Sequence, residues 1–335
     1  MIKTNVKNIL IVGGGSIGER HLRCFQQVAE EGSVVALCDV REEVREQLTE
    51  RYGLAKTFAD LEEAAQQHWD AAVICTPAHL HIPHAVALAK SADALMIEKP
   101  LATSLDDVSQ LREAWAGRVV NIAYVQRVNP LVEKAREVVL TGRLGDLLEV
   151  VSVSGQHFPT FRPAYREIYY TRHETGGGAI QDAATHHFNM VQYLAGDFDW
   201  VFCDAGHQAL EGVTVEDTVH LTGRTGGGRT MVSISLNQFM APNETVVRLN
   251  GSEASMKLVF HKQQWGIMFH GDAGWQWSDP ASHERDALFR KQARRFLFTV
   301  AGHFPVACTI DEAEHTLRVN LAALRSAGRE RVEIA

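Results

Sequence analysis

The chain has 335 residues, 45% of them hydrophobic and 22% charged, with 33 basic against 41 acidic side chains and a net charge of −8. That balance speaks against a nucleic-acid-binding surface, and no apolar run reaches the roughly 18 residues of a membrane helix. The length predicts two domains or one large one, and a strand that begins almost at once leaves no room for a cleavable signal peptide. Cys24, Cys38, Cys75, Cys203 and Cys308 are scattered and never spaced C-x-x-C, which predicts reduced thiols in a cytoplasmic protein.

In chain order, Ile9 to Val12 reads as a buried strand that runs into Gly13-x-Gly15-x-x-Gly18. The first glycine suits a tight turn, the second a close approach to a pyrophosphate, and the third close helix–strand packing. A helical stripe follows from Ser16 to Glu31, so the amides of Ser16, Ile17 and Gly18 would face phosphate with the positive end of the dipole. The strand Ser33 to Cys38 ends at Asp39, at the about-20-residue distance where an acidic side chain accepts ribose hydroxyls. Asp39 also suits the N-cap of the helix opened by Glu42-Glu43. A carboxylate there favours NAD, whereas Arg41 beside it offers a partner to the extra phosphate of NADP.

The alternation continues through a helix opened by Asp60, a strand Asp70 to Cys75 ending in Thr76-Pro77, and a strand Ala94 to Ile97 ending in Glu98-Lys99-Pro100. A helix capped by Ser104 and a strand Val119 to Tyr124 complete a doubly wound parallel sheet. His79, His81 and His84 have no spacing that would put them on one helix face and no completing cysteine or carboxylate, so no metal site is expected.

After a helix Pro130 to Leu140 the pattern turns to β, with glycine-rich turns at Gly226-Gly227-Gly228, Asn250-Gly251 and Gly271 to Gly274. The boundary is expected near Tyr124 to Pro130, and two helices, about His283 to Ala301 and Asp311 to Ser326, close the chain. Val232, Ile234 and Leu236 alternate with serines, predicting a sheet face that needs a cover. From Ala179 the pattern is helical, placing Asp182 and His186 at i and i+4 on one face. A carboxylate beside an imidazole suits proton transfer near neutral pH, and equally a surface pair. Arg162, Tyr165, Arg166 and Tyr169 precede the triple glycine Gly176-Gly177-Gly178 and suit either sugar contact or packing.

Taken in order, Gly13-x-Gly15-x-x-Gly18-x-x-His21, Asp39, Thr76-Pro77 with His81, Glu98-Lys99-Pro100, Arg127-x-Asn129-Pro130, Gly176-Gly177-Gly178 and Asp182-x-x-x-His186 resemble the Gfo/Idh/MocA family of glucose–fructose oxidoreductase and inositol dehydrogenase. The resemblance implies an α/β plus α+β chain. On this resemblance residues 1–124 would form a dinucleotide-binding Rossmann domain, and residues 125–335 a substrate-binding and oligomerisation domain on a large, open, mostly antiparallel sheet. It implies an NAD(P)-dependent oxidoreductase acting on a sugar, sugar derivative or cyclitol, with NAD as cofactor and NADP open. Lys99, Asp182 and His186 would surround the substrate, with His186 as acid/base and Lys99 stabilising the reacting oxygen. Gly13, Gly15, Ser16, Ile17, Gly18, Asp39, Arg41, Thr76, Pro77, His81, Glu98 and Lys99 would hold the cofactor. Arg127, Arg162, Tyr165, Arg166, Tyr169 and His187 are the expected substrate contacts, and the tract around Arg162 to Tyr169 looks like a subset acting on surface-polysaccharide sugars. Asn189 stands where family members commonly carry an aspartate, a departure expected to touch substrate contacts. A homodimer or homotetramer through the C-terminal sheet is expected, with neither nucleic acid nor membrane as partner. The alternatives are an NAD-dependent glycosidase without net redox and a dinucleotide-sensing regulator, the latter having no need of a proton relay.

Overall fold

The computed structural model describes residues 4–281, 284, 286–327 and 331–334. It divides into two compact units, Met1–Val128 with Glu284–Glu314, and Asn129–His283 with His315–Ala335.

Among the described residues the first unit is built on six parallel strands: β1 (Asn8–Val12), β2 (Val34–Cys38), β3 (Thr57–Phe58), β4 (Ala71–Ile74), β5 (Ala94–Ile97) and β6 (Val119–Ile122). Their order is β3-β2-β1-β4-β5-β6. The order reverses direction at β1, and ligands of such sheets bind beyond the carboxyl ends of the strands at that switch. Ile9, Ile11, Val73 and Met96 are buried with Leu22 and Phe25 of the helix Ser16–Val28. Ser104 does not cap the next helix as expected. That helix begins at Val108, and the Ser104 hydroxyl accepts the Asp106 N–H at 3.4 Å in the preceding turn.

One boundary differs from the sequence expectation. The chain divides after Val128, and the helix Ala287–Val300 belongs to the first unit and not to a domain spanning 125–335. Ala293, Phe296 and Leu297 complete the apolar core over Leu22 and Phe25, and the Phe25 and Phe296 rings meet edge to face at 6.2 Å. Arg23 clamps Asp286 through two hydrogen bonds of 2.6 and 2.9 Å. His283, the expected start of this helix, lies outside the described residues.

Among the described residues the second unit carries nine strands: β7 (Leu147–Gly155), β8 (Phe198–Gly206), β9 (Thr218–Thr225), β10 (Thr230–Asn237), β11 (Glu244–Gly251), β12 (Ala254–Val259), β13 (Gln264–Phe269), β14 (Gln276–Trp277) and β15 (Arg331–Glu333). The order is β14-β13-β12-β11-β7-β10-β9-β8-β15, antiparallel except where β7 pairs β10 in parallel. The glycine-rich turns join β9 to β10, β11 to β12 and β13 to β14 as expected, with Gly226, Gly227 and Gly228 all at positive φ.

Val232, Ile234 and Leu236 do not await a cover from another chain. They are buried in one core with Leu131, Val138, Phe188 and Val191 of the helices Pro130–Leu140 and Thr185–Ala195. The opposite face is the open one, where Met231 is 48% exposed and Val153 45%.

Asn189 is buried too, and its amide donates to Thr316 Oγ1 at 2.9 Å, while that hydroxyl donates to Gln192 Oε1 at 2.6 Å. Beside them Asn320 donates to Thr185 Oγ1 at 3.0 Å. The departure at Asn189 is therefore a core contact between helices and not a substrate contact.

All five cysteines are buried free thiols. Among the described residues no helix is long and apolar enough to cross a membrane. Thr316→Val removes the shared hydroxyl from the buried network, so unfolding in urea should show a loss of about 1–3 kcal/mol.

Candidate active site

The turn after β1 in the first unit leaves open space at Gly15. Gly13 turns the chain at φ +93°, its N–H donating to Cys38 O at 2.8 Å, and an added Cβ would lie 2.9 Å from Cys75 O. At Gly18 a Cβ would come within 1.8 Å of Gly13 O, so only glycine lets the helix rest this close to the strand end. Gly15 is different: a Cβ there meets no atom within 4 Å. It is the N-cap of the helix Ser16–Val28 and makes no side-chain cap hydrogen bond. Orphan helix amides beside open space suit a pyrophosphate.

Asp39 sits at the end of β2 with its carboxylate buried. Its Oδ2 accepts the Gly14 N–H at 2.6 Å, and its Oδ1 accepts the Arg41 N–H at 2.9 Å. The Arg41 guanidinium grips both oxygens, at 3.0 and 2.9 Å. Burial alone would raise the Asp39 pKa, but these donors outweigh it and hold the carboxyl below its ordinary range. Asp39 is not the cap of the next helix, because Arg41 occupies that position.

Lys99 follows β5 and is half-buried. Glu98 beside it is buried, and the Lys99–Pro100 bond is cis. His81 is fully buried, its ring nitrogens 2.8 Å from Thr76 O and 2.9 Å from Pro100 O. It therefore ties together the turns after β4 and β5, and is not a surface for the cofactor. Thr76 Oγ1 lies 3.2 Å from His84 Nδ1, and Pro77 is exposed at the start of the following turn. Arg127 was expected to touch substrate. Its side chain is only 2% exposed, pairs with Glu312 and donates to Ala307 O at 3.2 Å, which makes it a structural ion pair of the first unit.

In the second unit, Asp182 lies in a π-helical turn, Ile180–Ala184, that runs directly into the helix Thr185–Ala195. Such turns inside α-helices are rare and concentrate at functional sites. The Asp182 carboxylate is buried, accepting from Arg162 Nη1 at 2.9 Å and from the Tyr169 hydroxyl at 2.7 Å. Arg162 remains 48% exposed along its side chain and Tyr169 39% exposed overall, so both partners also reach solvent. His186 lies one turn on and is half-buried.

Three expected substrate contacts point elsewhere. Tyr165 is buried against Phe158 and Tyr170, and its hydroxyl donates to Glu211 O at 2.8 Å. Arg166 packs over the Tyr165 ring and donates to the same carbonyl at 2.8 Å. His187 faces β7, with Nδ1 2.8 Å from Ser152 Oγ, and burial pushes its pKa down to about 4.

Sequence reasoning missed Glu216. Its carboxylate accepts the Ile180 N–H at 2.8 Å and meets His173 Nε2 at 2.5 Å, while its carbonyl accepts the Ala179 N–H at 2.9 Å. Gly178, at φ +83°, allows this approach, since a Cβ would lie 2.5 Å from Glu216 Oε1. Glu216 thus anchors the start of the helix that carries Asp182 and His186. The visible signal was the acidic doublet Glu216-Asp217 directly before β9, an unusual place for two buried carboxylates.

The fold defines a dinucleotide-binding unit joined in sequence to a unit whose helix carries Asp182 and His186. The profile described as "Oxidoreductase family, NAD-binding Rossmann fold" matches residues 7–124, and the GFO/IDH/MocA C-terminal domain matches residues 132–257. The chain belongs to the GFO/IDH/MocA oxidoreductase family, and its first unit is an NAD-binding Rossmann domain. Among curated relatives, myo-inositol 2-dehydrogenase of Thermotoga maritima is 27% identical over 198 residues, covering 58% of this chain and 57% of that one. Levoglucosan dehydrogenase of Pseudarthrobacter phenanthrenivorans is 25% identical over 204 residues, covering 58% and 52%. The chain spans just over half the length of these relatives. Over nearly the whole chain, a levoglucosan dehydrogenase structure in complex with NADH and levoglucosan superposes with a TM-score of 0.87 at 20% identity, covering 98% of this chain and 99% of that one. The WlbA dehydrogenase from Bordetella pertussis, in complex with NADH and UDP-GlcNAcA, gives 0.81 at 21%, covering 99% of each. At these identities the structural likeness is one of fold.

Two predictions follow from the local geometry. Gly18→Ala should cost about 1–3 kcal/mol of stability in urea unfolding. Gly15→Ala should leave stability unchanged but weaken NADH binding about tenfold in fluorescence titration, the equivalent of one lost backbone–phosphate contact. His187 gives a pH dependence. Below its ordinary pKa of 6.5 the unfolded chain takes a proton that the folded protein refuses until about pH 4. Stability should therefore be full above that window and fall by about 3 kcal/mol across it. His187→Asn, which can still meet Ser152, should flatten that slope in urea unfolding at neutral pH and near pH 4.

Proposed function

We propose that the protein is an NAD-dependent oxidoreductase moving a hydride between the nicotinamide and a hydroxyl or carbonyl carbon of a sugar, sugar derivative or cyclitol. The observation that carries this reading is the buried Asp182 held by the half-exposed Arg162 and Tyr169, on the same helix as His186. A cluster of one acceptor and two donors matches a polyol, whose neighbouring hydroxyls both donate and accept. The relatives named for inositol and levoglucosan support the same substrate class.

NAD, when bound, supplies the hydride acceptor. His186 takes the hydroxyl proton as the carbon–oxygen double bond forms, and returns it in reduction. Lys99 offsets the negative charge that develops on the same oxygen. Asp182 binds an adjacent hydroxyl, with Arg162 and Tyr169 fixing the carboxylate. Ser16, Ile17 and Gly18 hold the pyrophosphate. Asp39 accepts the ribose hydroxyls and repels a 2′-phosphate, so NAD is preferred over NADP. The protein assembles as a homodimer or homotetramer through the sheet face that bears Met231 and Val153.

The test is a screen of inositols, aldoses and anhydrosugars with NAD and NADP, followed by absorbance of the reduced cofactor. Lys99→Ala and His186→Ala should each lower kcat by about 10²–10⁴-fold while NADH binding is kept. Wild-type turnover in both variants would overturn these roles. Sugar hydrolysis with no accumulation of reduced cofactor would replace the dehydrogenase with a glycosidase.

A further inference from the structure

His21, the last residue of the glycine-turn motif, has no part in the roles above. It is completely buried on the helix Ser16–Val28, tilted against Phe25 at 6.2 Å and edge-on to Phe289 at 5.6 Å. Its Nε2 lies 2.7 Å from Glu98 Oε1. The other Glu98 oxygen accepts the backbone N–H of Lys99 at 3.0 Å. Burial would raise the Glu98 pKa, but His21 first, then the charge and amide of Lys99, hold it below the ordinary range. With one Glu98 oxygen already accepting an amide, the 2.7 Å contact reads as His21 donating from Nε2 to the other. Among the described residues, Nδ1 of that ring has no hydrogen-bond partner. An orphan nitrogen in an apolar pocket is unfavourable, and a phenylalanine would fill the same space without it. Packing alone therefore does not account for a histidine here, whereas the bond to Glu98 does.

The other side of the same turn is held in a matching way. His81, from the element after β4, spans Thr76 O and the carbonyl of Pro100. The residues immediately before and after Lys99 are each fastened by a buried imidazole, and the two imidazoles come from different helices.

We propose that His21 and His81 are positioning residues that clamp Glu98-Lys99-Pro100, so that the Lys99 ammonium is presented in one orientation. The proposal rests on Lys99 acting at the reacting oxygen. A displacement of about 1 Å in such a group can cost about a hundredfold in rate, which makes a rigid turn worth two buried histidines.

His21→Phe keeps the ring and removes the donor, and His21→Gln keeps an N–H near the ε position. With the compound turned over most rapidly in the screen above, His21→Phe should lower kcat at least about tenfold. KM and the NADH dissociation constant should stay within about twofold, and His21→Gln should recover most of the loss. Unchanged kcat in folded His21→Phe overturns the proposal, as does a parallel loss of NADH affinity or no recovery in folded His21→Gln. A second measurement needs neither turnover nor a folded variant. In the intact protein, ¹⁵N-histidine NMR should place His21 in the Nε2–H form with a slowly exchanging proton, and His81 in slow exchange as well. An Nδ1–H form at His21 overturns the bridge even where the dehydrogenase reading stands. The expected form leaves the bridge intact even where no sugar is turned over.

Discussion

The close approach of the first helix to the end of β1 is the constraint on which the first unit depends. With Gly18 lying against Gly13 O, the helix Ser16–Val28 cannot move outward or rotate without losing its seat on the sheet. That seat aims the Ser16, Ile17 and Gly18 amides, and it puts the Gly14 N–H on Asp39. One turn further along, it carries His21 down to Glu98. The open space at Gly15, the seat of Asp39 and the contact of His21 with Glu98 are thus three consequences of one steric contact, since interiors this dense pass a shift in one element on to its neighbours.

In the second unit the governing problem is charge burial. Asp182 and Glu216 are both carboxylates withdrawn from water, and each is compensated by donors from short turns that precede its own element in the fold. A buried charge survives only when paired and hydrogen-bonded. The partners of Asp182, Arg162 and Tyr169, also keep one side in solvent. Glu216 serves the same helix from behind its N-terminus, where a negative charge is stabilised by the dipole.

Neighbouring residues of similar chemistry take opposite roles in this region. Arg162 and Tyr169 reach Asp182, whereas Tyr165 and Arg166 are drawn to the Glu211 carbonyl. His186 is half-buried, whereas His187, the next residue, turns to Ser152 of the sheet. One residue around a helix is about 100° of rotation, enough to exchange a site for a core.

Read alone, the sequence determined what depends on local sterics and periodicity. The glycine spacing, the strand ends at Asp39, Thr76 and Glu98, the helix from Pro130 to Leu140, and the shared helix of Asp182 and His186 all lie within a few residues of their cause. Only the tertiary structure decided what depends on partners distant in the chain. The helix Ala287–Val300 returns to the first unit because Phe25 needs Phe296 against it, and Arg127 is spent on Glu312, 185 residues away. Val232, Ile234 and Leu236 face helices of their own chain, and Asn189 answers Thr316. Direction of burial is a property of what packs on the other side, and no single stretch of residues carries that information.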